Sequence, residues 1–252
     1  MNNEKYITLP IGIEKELFAH FKKMNKLTIF DIGSCDGLDS IKYARMFPSS
    51  SIFAFEPLSK NVELIYSNLE TYSISNIKVV QLALSDKKGQ EKFYVSSGSP
   101  EELKSTDWDY GNKSSSLLPP DKTKEVLDWL KFDHVEIVET NTLFEFCHEN
   151  NIKLIDYIHM DVQGAELLVL KGSKELIKKI KMIWLEVENV SLYKDQPLKK
   201  DVESFMMLNG FTKIKDTVDY ISGDQLWVNL NYFPKKNITH KLWKFYSKIF
   251  KK

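Results

Sequence analysis

Two cysteines, Cys35 and Cys147, are too few for a disulfide framework, and they show no metal-ligand spacing. The histidines at 20, 134, 148, 159 and 240 form no zinc signature. No apolar run approaches the roughly 18 residues of a membrane span, and the first residues lack the basic-then-apolar order of a secretory leader. A reducing, cytoplasmic setting is the expectation. Arginine is nearly missing: Arg45 stands alone among 35 basic side chains, which fits the base composition of an AT-rich genome. Net charge is zero, which argues against a general nucleic-acid binder held by phosphate neutralisation. The balance is uneven along the chain, because residues 235–252 carry seven lysines and no acid.

What is present suits a packed core: 42% of residues are apolar and 12% aromatic. Strand and helix patterns alternate, which predicts an α/β fold whose parallel sheet is covered on both faces. A helical extension occupies residues 1–26, with Ile13, Leu17, Phe18 and Phe21 at helical spacing. Strands are expected at 27–32, 51–56 and 77–84, with helices at 38–47 and 59–70 between them. A further strand at 91–96 lies outside the parallel run. Residues 97–120 change to Ser, Gly, Pro, Lys and Asp, and 97–131 are expected to form a lid or substrate insertion, with a helix at 121–130. A strand at 134–139 follows, and Thr140 is the expected N-cap of a helix through His148. Next come a strand at 154–160, a helix from the turn at 161–164 to about Ile180, and a strand at 182–187. A helix at 201–208 leads to an antiparallel strand pair, 211–218 and 225–230, turning at Ser222-Gly223-Asp224. One domain is expected over 27–234, followed by a basic amphipathic tail over 235–252.

The turn Asp31-Ile-Gly33-Ser34-Cys35-Asp36-Gly37 carries the chemistry. A strand ending in an acid, a glycine-bearing turn and a helix make a nucleotide-cofactor site, where the missing Cβ atoms let backbone approach a ligand. Glu56 ends the next strand, 19 residues after Gly37, where an acid can accept hydrogen bonds from both ribose hydroxyls. A dinucleotide fingerprint requires G-x-G-x-x-G, whereas Cys35 occupies the middle glycine position. S-adenosylmethionine, which has no pyrophosphate, is therefore preferred to a nicotinamide dinucleotide.

Several spaced blocks then resemble the FkbM-type methyltransferases. They are Asp31–Gly37, Phe55-Glu56-Pro57, Ala83-Leu-Ser-Asp86, Ser114-Ser115-Ser116-Leu117, Asp161-Val-Gln-Gly-Ala-Glu166, Glu186 and Asp224-Gln-Leu-Trp-Val228, running from about residue 27 to 230. The resemblance implies a Rossmann-like class I methyltransferase fold, with seven mostly parallel strands and the last one antiparallel. It also implies O-methylation of hydroxyls, often on sugars or natural products. By it, Asp31 and Gly33 meet the methionine end of the cofactor, Glu56 the ribose and Ala83 the adenine side. Ser34, Asp36, Gly37, Pro57 and Asp161 complete the candidate cofactor set. One departure stands out: similar members carry Lys two places before the motif aspartate, where this chain has His159.

Methyl transfer to an alcohol requires in-line positioning and removal of a proton. Asp161 at a strand end, His159 on the same face two residues earlier, and Glu186 are the candidate catalytic residues. Asp161 alternatively caps the following helix, and Glu166 in its first turn suits the helix dipole. Ser115, Ser116, Trp108, Glu166 and Glu188 are the candidate substrate contacts. Trp108, Tyr110 and Trp129 either stack on a sugar face or pack in the core. Glu186 and Glu188 either hold substrate hydroxyls or, with Asp161, a divalent ion; no metal site is assigned.

In the tail, Ile238, Leu242, Trp243, Phe245, Tyr246, Ile249 and Phe250 fall opposite Lys241, Lys244, Lys248, Lys251 and Lys252 on a helical wheel. Residues 236–252 either lie on the inner face of an anionic membrane or pack on the domain. The expected activity is methylation of a small-molecule or glycan acceptor. The alternatives are a catalytically silent binding module and an NAD-dependent oxidoreductase.

Overall fold

The computed structural model describes residues 2–100 and 111–234. The elements in chain order are α1 (Asn3–Thr8), α2 (Glu14–Phe21), β1 (Thr28–Ile32), α3 (Leu38–Met46), β2 (Ser51–Phe55), α4 (Ser59–Thr71) and β3 (Ile77–Val80). They continue with β4 (Ala83–Ser85), β5 (Gly89–Ser97), α5 (Thr123–Val126), β6 (Lys131–Thr142), α6 (Leu143–Glu149) and β7 (Ile155–Met160). The last are α7 (Glu166–Gly172), β8 (Ile180–Glu188), α8 (Lys199–Leu208), β9 (Phe211–Asp216) and β10 (Ser222–Asn229). Seven strands form one sheet in the order β3-β2-β1-β7-β8-β10-β9, with β10 antiparallel to both neighbours. This is the class I methyltransferase architecture.

The central strands are mostly apolar because helices cover both faces, with Asp31 on β1 and Asp156 and His159 on β7 as polar exceptions. Side chains alternate between two cores. Ile29, Tyr157, Met182 and Trp184 face α2 and α3, where Leu17, Phe21 and Tyr43 meet them. Phe30, Ile158, Met160 and Leu185 face α6, α7 and α8, where Phe146, Val169 and Met206 meet them. Ile13, Leu17 and Phe21 are fully buried, so the leading helical segment belongs to the same core. By the same alternation Asp31 and His159, register partners on β1 and β7, point to the α3 side.

Several local expectations change. Residues 77–84 split into β3 of the main sheet and β4 of a second, three-stranded sheet β4-β6-β5. Thr140 lies inside β6, paired with Ala83, and Thr142 is the N-cap instead, accepting from Glu145 N at 3.1 Å. The helix expected at 121–130 shrinks to α5, because Leu127 leaves the helical region at φ −131°, ψ 85°, and the chain then packs its Trp129 carbonyl against Gly98. The helix after the 161–164 turn stops at Gly172 and continues as a 3-10 turn, Lys174–Lys179. Gly172 there lies against the Ser85 carbonyl. Residues 222–224 belong to β10, pairing with Glu188 to Glu186, and the turn falls one step earlier.

Candidate active site

The turn after β1 folds onto β2, since Gly33 N and Ser34 N both donate to the Phe55 carbonyl, at 3.1 and 3.0 Å. Gly33, Cys35 and Gly37 all take positive φ, 87°, 50° and 76°. The glycines are demanded by protein packing: a Cβ on Gly33 would collide with the Asp161 carbonyl oxygen, and one on Gly37 would press on Ile65. Ser34 Oγ donates to the Asp31 carbonyl at 2.9 Å and is spent on the turn. Asp36 is spent likewise, accepting from Leu38 N at 3.1 Å and from Lys113 Nζ at 2.9 Å.

Glu56 is 4% exposed; its Oε2 accepts from Cys35 N at 3.0 Å and its Oε1 from Leu58 N at 2.9 Å. Burial raises its pKa to about 7, against the opposing hydrogen bonds of Leu58, Asn61 and Cys35. A carboxylate has about four acceptor sites, so room remains for one ribose hydroxyl rather than two. Beside it, Gly33, Pro57, Ala83, Leu117, Val162 and Ala165 line an apolar slot. Its wholly uncharged, mostly apolar lining suits a heterocyclic base.

Asp31 is 1% exposed, and both carboxylate oxygens have protein partners. Oδ1 meets His159 Nδ1 at 2.8 Å, and Oδ2 accepts from Ser40 Oγ on α3. Asp31 is thus turned away from the expected contact with the methionine end and holds a histidine instead. Burial works to lower the His159 pKa, but the hydrogen bond and charge of Asp31, with Asp39 and Asp161, outweigh it and raise the pKa to about 9. At neutral pH His159 is an imidazolium and has no lone pair for a proton. Its expected role as a base is corrected accordingly.

The turn after β7 joins the acids. Gln163, at φ 53°, donates from Nε2 to Asp161 Oδ1 at 2.7 Å and to Glu186 Oε2 at 2.9 Å. Tyr193 shares its single hydroxyl hydrogen between the Ser114 carbonyl at 2.7 Å and Gln163 Oε1 at 3.2 Å. Asp161 therefore caps no helix; the N-cap of α7 is Ala165. Glu166 instead accepts from Val162 N at 3.0 Å and Gly164 N at 3.3 Å, knitting the turn from within. Glu166 and Glu188 are each 2% exposed, which withdraws both from the expected substrate contacts. Burial, then neighbouring carboxylates, hold Glu166 and Glu186 well above the usual carboxylate range. Burial and Asp161 raise Glu188 to about 7, and burial raises Asp224 to about 6.

The insertion closes over this edge. Asn112 donates to Asn61 Oδ1 at 2.7 Å. Ser115 Oγ accepts from Ser96 N at 2.9 Å, and Ser116 Oγ donates to the Gln163 carbonyl at 2.8 Å while accepting from Leu118 N at 3.0 Å. Both serines are thus fasteners of the insertion rather than open substrate contacts. Trp108 and Tyr110 lie outside the described residues, as does the tail over 235–252. Gln163, Tyr193, Asn112 and Lys113 were not legible as site residues. Only Gln163 had a signal, its place between Asp161 and Glu166. Among the described residues no three His, Cys, Asp or Glu side chains converge as a metal site.

A family model, the methyltransferase FkbM domain, matches residues 31–213. The chain belongs to that family. Among its relatives is the 2-O-methyltransferase NoeI of Sinorhizobium fredii, 29% identical over 223 residues covering 88% of this chain and 87% of that protein. Methyltransferase sdnD of Sordaria araneosa is 27% identical over 215 residues, 76% of each chain. A solved methyltransferase from Aquifex aeolicus aligns over 90% of this chain and 98% of its own, with 13% identity and a TM-score of 0.43. This FkbM-family protein is a methyltransferase, and S-adenosylmethionine is its methyl donor. The residues present fit that donor: an uncharged apolar slot can take a base, and the buried Glu56 beside it keeps an acceptor position open for a ribose hydroxyl.

Proposed function

We propose that this methyltransferase modifies a hydroxyl group of a sugar or related small metabolite. The observation that carries the reading is the pair of carboxylates, Asp161 and Glu186, bridged by one Gln163 amide at the strand ends beside the apolar slot. The relative named as a 2-O-methyltransferase supports the hydroxyl as acceptor. S-adenosylmethionine, when bound, supplies an electrophilic methyl group on a sulfonium. Asp161 uses Oδ1 for Gln163, while Oδ2 has no protein partner among the described residues and is not buried. That oxygen receives the proton of the acceptor hydroxyl. Glu186, held protonated by burial and its acidic neighbours, donates a hydrogen bond to a second hydroxyl and keeps negative charge from accumulating. Gln163 fixes the spacing of the two groups.

The test is incubation of purified protein with isotopically labelled methyl donor and a panel of sugars, oligosaccharides and their single-deoxy analogues, read by mass spectrometry. Transfer lost with one deoxy position supports the reading. Label found on nitrogen or carbon acceptors alone sinks it. We further propose a cytoplasmic enzyme whose segment 236–252 rests on anionic lipid, supported by the lysine and aromatic faces of that segment. Removing 236–252 then abolishes binding to anionic liposomes; unchanged binding refutes the contact. No helix among the described residues is long and apolar enough to cross a membrane.

A further inference from the structure

We infer that His159 is the receptor for the α-carboxylate of the methyl donor, held in position by Asp31. The inference rests on S-adenosylmethionine being the donor and assigns the end of that molecule for which the slot and Glu56 do not account. His159 lies on β7 opposite Asp31 in register, next to the turn that begins at Gly33. Its Nδ1 is committed to Asp31 at 2.8 Å, and Asp31 is itself tied by Ser40. The ring also lies against Tyr43, with centroids 5.7 Å apart, so its orientation is defined from both sides. Nε2 has no protein partner among the described residues and is not buried. A charged N–H donor therefore keeps a vacant direction on a side chain that is 15% exposed.

The neighbours of this donor define what it takes. Asp31 from β1, Asp39 and Tyr43 from α3, Tyr157 from β7 itself, Asp161 just past its end, and Asp224 from β10 surround it; the β8 register partner, Trp184, has no charge. None of these acids except Asp31 bonds the ring. An anion placed at Nε2 must carry its own cation to tolerate Asp161 and Asp224. An α-amino acid meets that condition: its carboxylate pairs with His159 and its ammonium with the flanking acids. A phosphate or a simple carboxylic acid does not. The protonated state of His159, secured by Asp31, makes the contact a charge-assisted one of the stronger kind.

The experiment compares two ligands by calorimetry on the full chain. S-adenosylhomocysteine has the amino-acid end, whereas 5′-methylthioadenosine has the same nucleoside without it. His159→Ala is expected to weaken S-adenosylhomocysteine roughly tenfold to a hundredfold and to change 5′-methylthioadenosine less than about twofold. His159→Lys restores the cation and brings S-adenosylhomocysteine back to within a few-fold of the parent protein. Asp31→Asn tests the positioning role: the selective loss appears at pH 8 and recovers at pH 6, since the ring then titrates near its ordinary value of about 6.5. Equal loss of both ligands in His159→Ala, or no loss of either, overturns the inference. If His159→Ala fails to fold, Asp31→Asn decides the matter by the same selectivity and its dependence on pH. Failure of the parent protein to bind either ligand overturns the donor assignment as well. Binding of 5′-methylthioadenosine alone overturns only the role of His159.

Discussion

Gly33 and Gly37 look alike in the turn, both with positive φ, yet alanine at the two positions should have different consequences. A left-handed backbone costs an L-residue roughly 1–2 kcal/mol, and that strain applies to both. At Gly37 the new Cβ meets Ile65 Cγ2 at 2.9 Å, a methyl on the stiff, β-branched side chain of a buried α4 residue, so relief needs a small shift of that side chain and its helix but breaks no hydrogen bond. Gly37→Ala should therefore cost more than the strain alone, yet less than the change at Gly33. At Gly33 the obstacle is the carbonyl oxygen of Asp161. That residue cannot withdraw, because its N–H donates to the Ile32 carbonyl at 3.0 Å and its side chain is tied to Gln163. Parting two adjacent parallel strand ends sacrifices that hydrogen bond too, so Gly33→Ala should cost about 3–5 kcal/mol in total. Urea unfolding with unchanged slope measures both values. Gly33→Ala should also lower turnover, because it displaces the proposed proton acceptor. Equal unfolding midpoints for the two variants would refute the packing argument.

Gln163→Leu should lower kcat by at least tenfold while leaving S-adenosylhomocysteine affinity within about threefold, as two carboxylates lose their shared donor; titration calorimetry beside initial rates checks it. Ser116→Ala strips partners from the half-buried Gln163 carbonyl and Leu118 N–H and should cost about 1–2 kcal/mol, with faster proteolysis in the insertion. The pH dependence of stability should fall in two steps. Glu56 and Glu188, raised to about 7, stabilise the fold fully below their unfolded values and lose that contribution as pH rises through 7. His159, raised to about 9, contributes fully below about 6.5 and loses its contribution as pH rises through 9. Thermal melts from pH 5 to 10 should show both declines, and His159→Gln should flatten the second; a rise across that range contradicts the assignments.

Local chemistry was legible in the residue order. The turn Asp31–Gly37, Glu56 at the next strand end and Asp161 at a later one all follow from strand periodicity, glycine placement and short spacing. The FkbM resemblance added seven strands and the antiparallel last one. Contacts between distant segments were not legible, since they depend on sheet register and on which face a residue takes. Asp31 read as a ligand contact because nothing local showed His159, 128 positions away, arriving opposite it. Glu166 and Ser116 read as substrate groups because their backbone partners belong to a turn whose shape only the packed chain defines. Residues 77–84 read as one strand because the division between two sheets is imposed by β6, far along the chain. The residue order alone determined that a methyl-donor turn exists and where its strand ends fall. The tertiary structure decided which acids face the cleft and which serve the protein, because a buried carboxylate takes whichever donors the fold brings within about 3 Å.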